Sequence, residues 1–343
     1  MRLYSITPSS ICSYYRPNFV ESIINSKISG PRKEIQKTHN EKSMENLKIK
    51  RNKNELSRSA VGRLKKAVNW LVFLSEEREI RRDGKLKLAK FRTGFITLKL
   101  PSKQVHTHSE ITKRSLNNFL TLLRTQCNVK NYVWRAELQK NGNLHYHILI
   151  DRYVHHRVVR DFWNQSIEIL GYVRNYKEKF SKLSFSEYLK LRNDQGSTDY
   201  KKIKSAYYRG KATNWESPNS TDVHSLRKVE NAAAYVAKYM SKKSDENVES
   251  TYEESLKLLT GRLWYCSQSI SRLKNAVMPQ TYELMGIFKE LSRGDVFHVV
   301  DDFFEFVGFS MAKINRRISD FLKGILWAHA YSCGYPVPYV KSC

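Results

Sequence analysis

Between residues 94 and 100 apolar and polar positions alternate. Ile96, Leu98 and Leu100 fall on one face and Phe95, Thr97 and Lys99 on the other, which predicts a strand ended by Pro101. Ahead of it the period changes: from Ser57 to Ile80, Val61, Leu64, Val68, Leu71 and Val72 recur at helical spacing with Lys and Arg between them, predicting a packing helix. Leu116, Phe119, Leu120 and Leu123 form the apolar stripe of a second helix, capped by Ser109 and running to about Thr125. A third helix is predicted over 155–170, with Val158, Phe162 and Ile169 inward and His155 and His156 in its polar first turn.

Two strands lie between the second and third helices. Tyr132 to Leu138 is β-branched and aromatic, His145 to Ile150 ends in three aliphatics, and Asn141-Gly142 marks the turn between them. His145 and His147 are two apart, so a strand sends both imidazoles from one face. The loop length decides what joins them. A two-residue loop pairs Leu138 with His145 and turns Glu137 to the opposite face. A three-residue loop over Lys140, Asn141 and a left-handed Gly142 pairs Gln139 with Asn143 and sets Glu137 opposite His145. The second register is the one expected, because one carboxylate and two imidazoles then converge as candidate ligands for a divalent ion.

Residues 174–222 break periodicity and carry clusters of Lys, Arg, Tyr and Ser, among them Lys201, Lys202, Lys204, Arg209 and Lys211, read here as a basic insertion with a candidate DNA-binding loop. Leu226 to Lys243 is alanine-rich and free of Gly and Pro, predicting a helix on which Tyr235 and Tyr239 project from nearly one direction. Each tyrosine has a lysine three residues on, Lys238 and Lys242. A last strand is predicted within Gly261 to Ile270, and helical spacing of Tyr282, Met285 and Phe288, then of Ile314, Ile318, Phe321, Leu322 and Ile325, predicts a helical tail. The expected organisation is a basic, disordered arm over 1–55, a main domain over 56–275 carrying the insertion at about 174–222, and a helical extension over 276–343.

Composition adds a partner to this outline. Across 343 residues, 60 Lys and Arg face 33 Asp and Glu, a net charge of +27 that exceeds what solubility needs and points to a polyanion, with nucleic acid first. Most of the aromatic rings are expected in the core, but some are available for unpaired bases to stack on. The five cysteines are scattered without Cys-x-x-Cys spacing, which argues against a disulfide framework or a zinc finger and fits a reducing cytosol. No apolar run reaches membrane-spanning length and no signal-peptide pattern opens the chain, so a soluble, intracellular protein with no membrane partner is expected.

The strand Phe95-Ile96-Thr97-Leu98, then His145-Tyr146-His147, then Tyr235-Val236-Ala237-Lys238-Tyr239 together resemble the three ordered motifs of the HUH endonuclease superfamily. The closest likeness is to the two-tyrosine rolling-circle replication initiators of small single-stranded-DNA phages, the microvirus type. The resemblance covers roughly residues 90 to 275. It implies an α+β fold in which helices flank a central antiparallel sheet, with the histidine strand central and the tyrosine helix packed across it. It also implies Mg²⁺ or Mn²⁺ held by Glu137, His145 and His147, and Tyr235 and Tyr239 as nucleophiles paired with Lys238 and Lys242.

The activity so implied is site-specific nicking and joining of single-stranded DNA at a replication origin, through a 5′-phosphotyrosine. The chain has no Gly-x-x-x-x-Gly-Lys-Ser/Thr loop, so the helicase, like the DNA polymerase, is expected from the bacterial host, in whose cytoplasm the protein would act. Within the superfamily a conjugative relaxase or a single-strand transposase is the alternative, although histidines before two tyrosines favour replication. From another class, a non-enzymatic single-strand nucleic-acid binder would need only the charge and the rings.

Overall fold

The computed structural model describes residues 1–16, 56–75, 78–82, 85–89, 93–139, 142–225, 258–294, 297–301, 304–311 and 313–335. In chain order its elements begin with strands β1 (Arg2–Thr7) and β2 (Ser10–Tyr15), helix α1 (Arg58–Leu74), and strands β3 (Arg78–Arg82), β4 (Lys85–Ala89) and β5 (Gly94–Lys99). Next come α2 (His108–Ile111), a π-helical stretch (Thr112–Leu116) that runs into α3 (Asn117–Cys127), β6 (Tyr132–Leu138), β7 (Leu144–Ile150) and α4 (His156–Glu168). Helices α5 (Tyr172–Ser181), α6 (Phe185–Asp194) and α7 (Tyr200–Ala212) precede β8 (Thr221–Ser225), β9 (Trp264–Cys266), α8 (Gln268–Arg272) and β10 (Ala276–Pro279). The chain closes with α9 (Tyr282–Arg293), β11 (Phe297–Val300), β12 (Phe304–Gly308) and α10 (Arg316–Ser332). The class is α+β, with two antiparallel five-stranded sheets flanked by helices.

These elements fall into two units, residues 56–267 and residues 1–55 with 268–343. The first unit holds the sheet β8-β5-β7-β6-β9, antiparallel throughout, with the histidine strand β7 at its centre. One face of that sheet is apolar: Ile96, Leu98, Trp134, Ala136, Leu144, Tyr146, Ile148 and Ile150 are buried in one cluster with Leu116, Phe119, Leu120 and Leu123. Strand alternation puts the imidazoles of His145 and His147 on the other face, so hydrophobic burial of one face positions the polar groups of the other.

Several sequence expectations shift by a residue or a turn, each for a local reason. Helix α1 starts at the expected Ser57, whose hydroxyl accepts from the Ala60 N–H, but ends at Leu74, because the chain beyond it turns into the β3–β4 hairpin. The cap of the second helix is Thr107 and not Ser109: Thr107 and Glu110 form a reciprocal capping box, the Thr-x-x-Glu signature. In α4 the inward stripe is Val159, Trp163 and Ile167, whereas Ile169 is exposed. The Trp163 indole sets that rotation, since its N–H donates to the Lys99 carbonyl at 2.8 Å and its ring packs edge-on against Phe119. The strand expected within 261–270 contracts to the three residues of β9, followed by α8.

The insertion expected as a loop is three helices. Phe180, Tyr188, Ile203, Tyr207 and Trp215 form a core of their own, separate from the cluster under the sheet. Gly210 lies directly under the Trp215 ring, so that an added Cβ would overlap the indole. Gly210→Ala is expected to lower thermal stability by about 1–3 kcal/mol through this overpacking, read as a melting-temperature shift.

In the second unit the sheet order is β10-β1-β2-β12-β11. Tyr4, Ile6, Ile11 and Val307 are buried on one face, and Tyr4 meets Phe288 of α9 at 5.5 Å between ring centroids. The first fifteen residues, taken in the sequence reading as part of the arm, thus pair with strands from the tail. That tail is not purely helical, since α9 and α10 accompany three strands. Its inward stripe also differs: Leu284, Ile287, Phe288 and Leu291 are buried, while Tyr282 is exposed. The remainder of the expected arm, residues 17–55, lies outside the described residues. Among the described residues no helix is long and apolar enough to cross a membrane.

Candidate metal centre

The turn between β6 and β7 fixes the site. Gln139 N–H donates to the Asn143 carbonyl at 2.8 Å, Gly142 N–H donates to the Gln139 carbonyl at 2.9 Å, and Gly142 sits at φ 77. This is the longer of the two registers weighed from the sequence, and it pairs Glu137 with His145 and Arg135 with His147. A β-branched residue strains the left-handed backbone at this turn, so Gly142→Val is expected to cost about 1–3 kcal/mol. Because a slip of one residue would turn Glu137 to the other face, the same variant is expected to lose metal affinity as well, measured by calorimetric titration with Mn²⁺.

Glu137 Oε1 lies 2.6 Å from His145 Nε2 and 2.9 Å from His147 Nε2. One candidate ligand atom from each of the three residues lies within 4.8 Å of the other two. His147 is held from two sides: its Nδ1 is 3.2 Å from Thr97 Oγ1, and its ring stacks on Phe95 at 5.5 Å and 8°. With Nδ1 protonated and donating to Thr97, Nε2 turns a lone pair toward Glu137, the orientation a metal ligand needs. His145 Nδ1 is buried without a hydrogen-bond partner among the described residues, which leaves its Nε2 as the atom that reaches the cluster.

Burial alone would raise the Glu137 carboxyl, but hydrogen bonds from His145 and His147, with the attraction of their imidazoles, hold it far below the usual carboxylate range. Burial pushes His145 below the ordinary imidazole value, and the bond to Glu137 offsets that only in part. An ionised carboxylate beside a readily neutral imidazole is the state in which the set coordinates. Two imidazole nitrogens and one carboxylate oxygen suit a divalent ion such as Mn²⁺ or Mg²⁺ with positions left open, so the residues present fit the group implied by the sequence resemblance.

Further groups on this face were not singled out as site residues in the sequence. The Arg135 guanidinium, 2 % exposed, is 3.6 Å from Glu137 Oε2. Lys99 pairs with His145 across β5, and its charge is one of the influences that lower the His145 imidazole. The available signal was alternation: Thr97 and Lys99 share a face, and Arg135 is two positions before Glu137. The candidate DNA-binding residues Lys201, Lys202, Lys204, Arg209 and Lys211 are all exposed on α7, away from the triad in sequence and on a separate core. Tyr235, Lys238, Tyr239 and Lys242 lie outside the described residues.

Residues 93–244 match the family model of replication-associated proteins of the ORF2 type. The matched segment opens at β5, contains the whole Glu-His-His cluster and extends past both tyrosines, and it supports a relationship to replication initiators. No curated protein and no solved structure matches the chain.

Proposed function

We propose that the protein is a rolling-circle replication initiator of the HUH type, which nicks and rejoins single-stranded DNA through a tyrosine–DNA intermediate. The observation that carries this reading is the convergence of Glu137, His145 and His147 on the polar face of the central strand pair, inside the segment that matches the replication-associated family. A divalent ion held there would neutralise charge on the scissile phosphate.

The chain's own residues do the rest. Thr97 and Phe95 hold the His147 ring, and the pairing of Glu137 with His145 keeps the carboxylate beside both imidazoles. Arg135 and Lys99 add positive charge on the same face, where a phosphate would bind. The phenolate of Tyr235 or Tyr239 attacks phosphorus, the bond from phosphorus to the 3′ oxygen breaks, and that oxygen takes up a proton. The products are a 5′-phosphotyrosine and a free 3′-OH for a polymerase to extend. A phenol with an ordinary pKa near ~10 is mostly protonated at neutral pH, so Lys238 and Lys242, each one turn beyond its tyrosine, favour the ionised form.

The test is incubation of the full chain with single-stranded oligonucleotides and Mn²⁺, followed by denaturing electrophoresis. A denaturant-resistant protein–DNA adduct that disappears with chelator is the expected result. A protein that binds these strands but never forms the adduct is a non-enzymatic binder, and the proposal falls.

A further inference from the structure

We infer that the three helices α5 to α7 are a double-stranded-DNA reading module, which lays the outer face of α7 in a major groove. The inference goes beyond the nicking reading and does not depend on it.

The module is built as a unit. Helix α6 ends in a left-handed Gly196, φ 79, with Gly196 N–H on the Asn193 carbonyl and Ser197 N–H on the Arg192 carbonyl, the paired bonds of a Schellman stop. Three residues later Asp199 caps α7 by accepting from the Lys202 N–H. Two helices joined by a short glycine turn, with a third helix completing the core, form the arrangement in which the last helix is free to enter a groove.

The surface of α7 suits that task. At about 100° per residue, Ile203, Tyr207 and Gly210 share the inward side, where they are buried or half-buried, and the opposite side is centred on Lys201, Ser205, Tyr208 and Ala212. Lys204 and Lys211 lie along one flank of that centre, Lys202 and Arg209 along the other. The exposed face therefore has a centre with two small residues, which lets a helix approach closely, and a cationic rim on each side to reach the phosphates of the two strands. Helix α7 contains no acidic residue, and of its five cations only Lys202 pairs with a carboxylate among the described residues, that of Asp199. From Lys201 to Lys211 the face runs about 15 Å, enough to follow a groove about 12 Å wide.

The aromatic residues decide between duplex and single strand. A single-strand platform offers ring faces to bases. In this module Phe180, Tyr188, Tyr207 and Trp215 are buried together, and the exposed Tyr208 turns its ring onto Phe185, 25° from parallel. The module thus spends its rings on its own core and presents cations outward, as recognition of a duplex backbone requires.

The experiment compares the full-length protein with Lys201→Ala/Lys204→Ala and, separately, Ser205→Glu. Melting temperatures identify any variant that fails to fold. Each protein is titrated against a 30-base-pair duplex and a single strand of equal length, at several salt concentrations; the 30 is a design choice of about three helical turns. The double variant is expected to lose about tenfold in duplex affinity, with its salt slope reduced by about 2. Its affinity for the single strand should change less than twofold. Ser205→Glu, which puts a negative charge at the centre of the face, is expected to reproduce the duplex loss. Equal losses on both probes, or no loss on the duplex, would overturn the inference. If the parent protein forms no covalent adduct while the duplex-selective loss is seen, the nicking reading fails and the module stands.

Discussion

His147→Ala is expected to abolish Mn²⁺-dependent adduct formation and to weaken Mn²⁺ binding by at least about 100-fold, the upper end of what removing a mere supporting residue costs. His147 Nε2 is 2.9 Å from Glu137 Oε1, and the ring is clamped by Thr97 and Phe95, so no neighbouring group can swing in as a substitute. Thr97→Val separates coordination from orientation. It removes the hydroxyl at Nδ1 and leaves all three ligand atoms in place, so the expected loss is smaller, about 10-fold to 100-fold in Mn²⁺ affinity. Glu137→Gln keeps the shape but discards the charge, and it should resemble His147→Ala more than Thr97→Val. Undiminished Mn²⁺ binding and adduct yield in His147→Ala, measured on protein with an unchanged melting temperature, would show that the cluster holds no catalytic ion.

The triad was legible because it is local. Two histidines with one residue between them, a countable loop and strict strand alternation leave only two registers, and a left-handed glycine selects the one observed. The supports of the triad were harder to read, although the alternation of residues 94 to 99 already put Phe95, Thr97 and Lys99 on one face. What that alternation lacks is the partner: Thr97 meets His147 only because β5 pairs with β7, and pairing across 50 residues leaves no local periodicity. The same holds for β1 and β2, whose partners β10 and β12 lie more than 260 residues away. The three-helix module was missed for a different reason. Its inward stripe is made of Ile203, Tyr207 and Gly210, with Trp215 closing over it, and a stripe of Tyr and Gly carries little of the aliphatic contrast by which helical periodicity is recognised.

Replacing both Tyr235 and Tyr239 by Phe should leave no covalent adduct at all, whereas each single replacement should keep some nicking and lose repeated rounds. The argument runs from chemistry to number. After the first nick one tyrosine is esterified to the 5′ phosphate and cannot attack again, yet the origin regenerated by one round of synthesis must be cut before the displaced strand can be closed. A second tyrosine four residues along a helix projects about 40° away and about 6 Å further on, near enough to reach the same phosphate site without release of the first. Its attack frees a new 3′-OH. That hydroxyl then displaces the first tyrosine from its phosphate, which returns a phenol and closes a single-stranded circle. Since every bond broken is matched by one formed, the cycle needs no external energy source, and the two residues exchange roles each turn. Single-turnover nicking of an oligonucleotide and multi-round circle production on a replicating template, measured for the same three variants, separate this scheme from its rival. If one single replacement is inert in both assays and the other is indistinguishable from the parent, only one tyrosine is a nucleophile and the alternation is wrong.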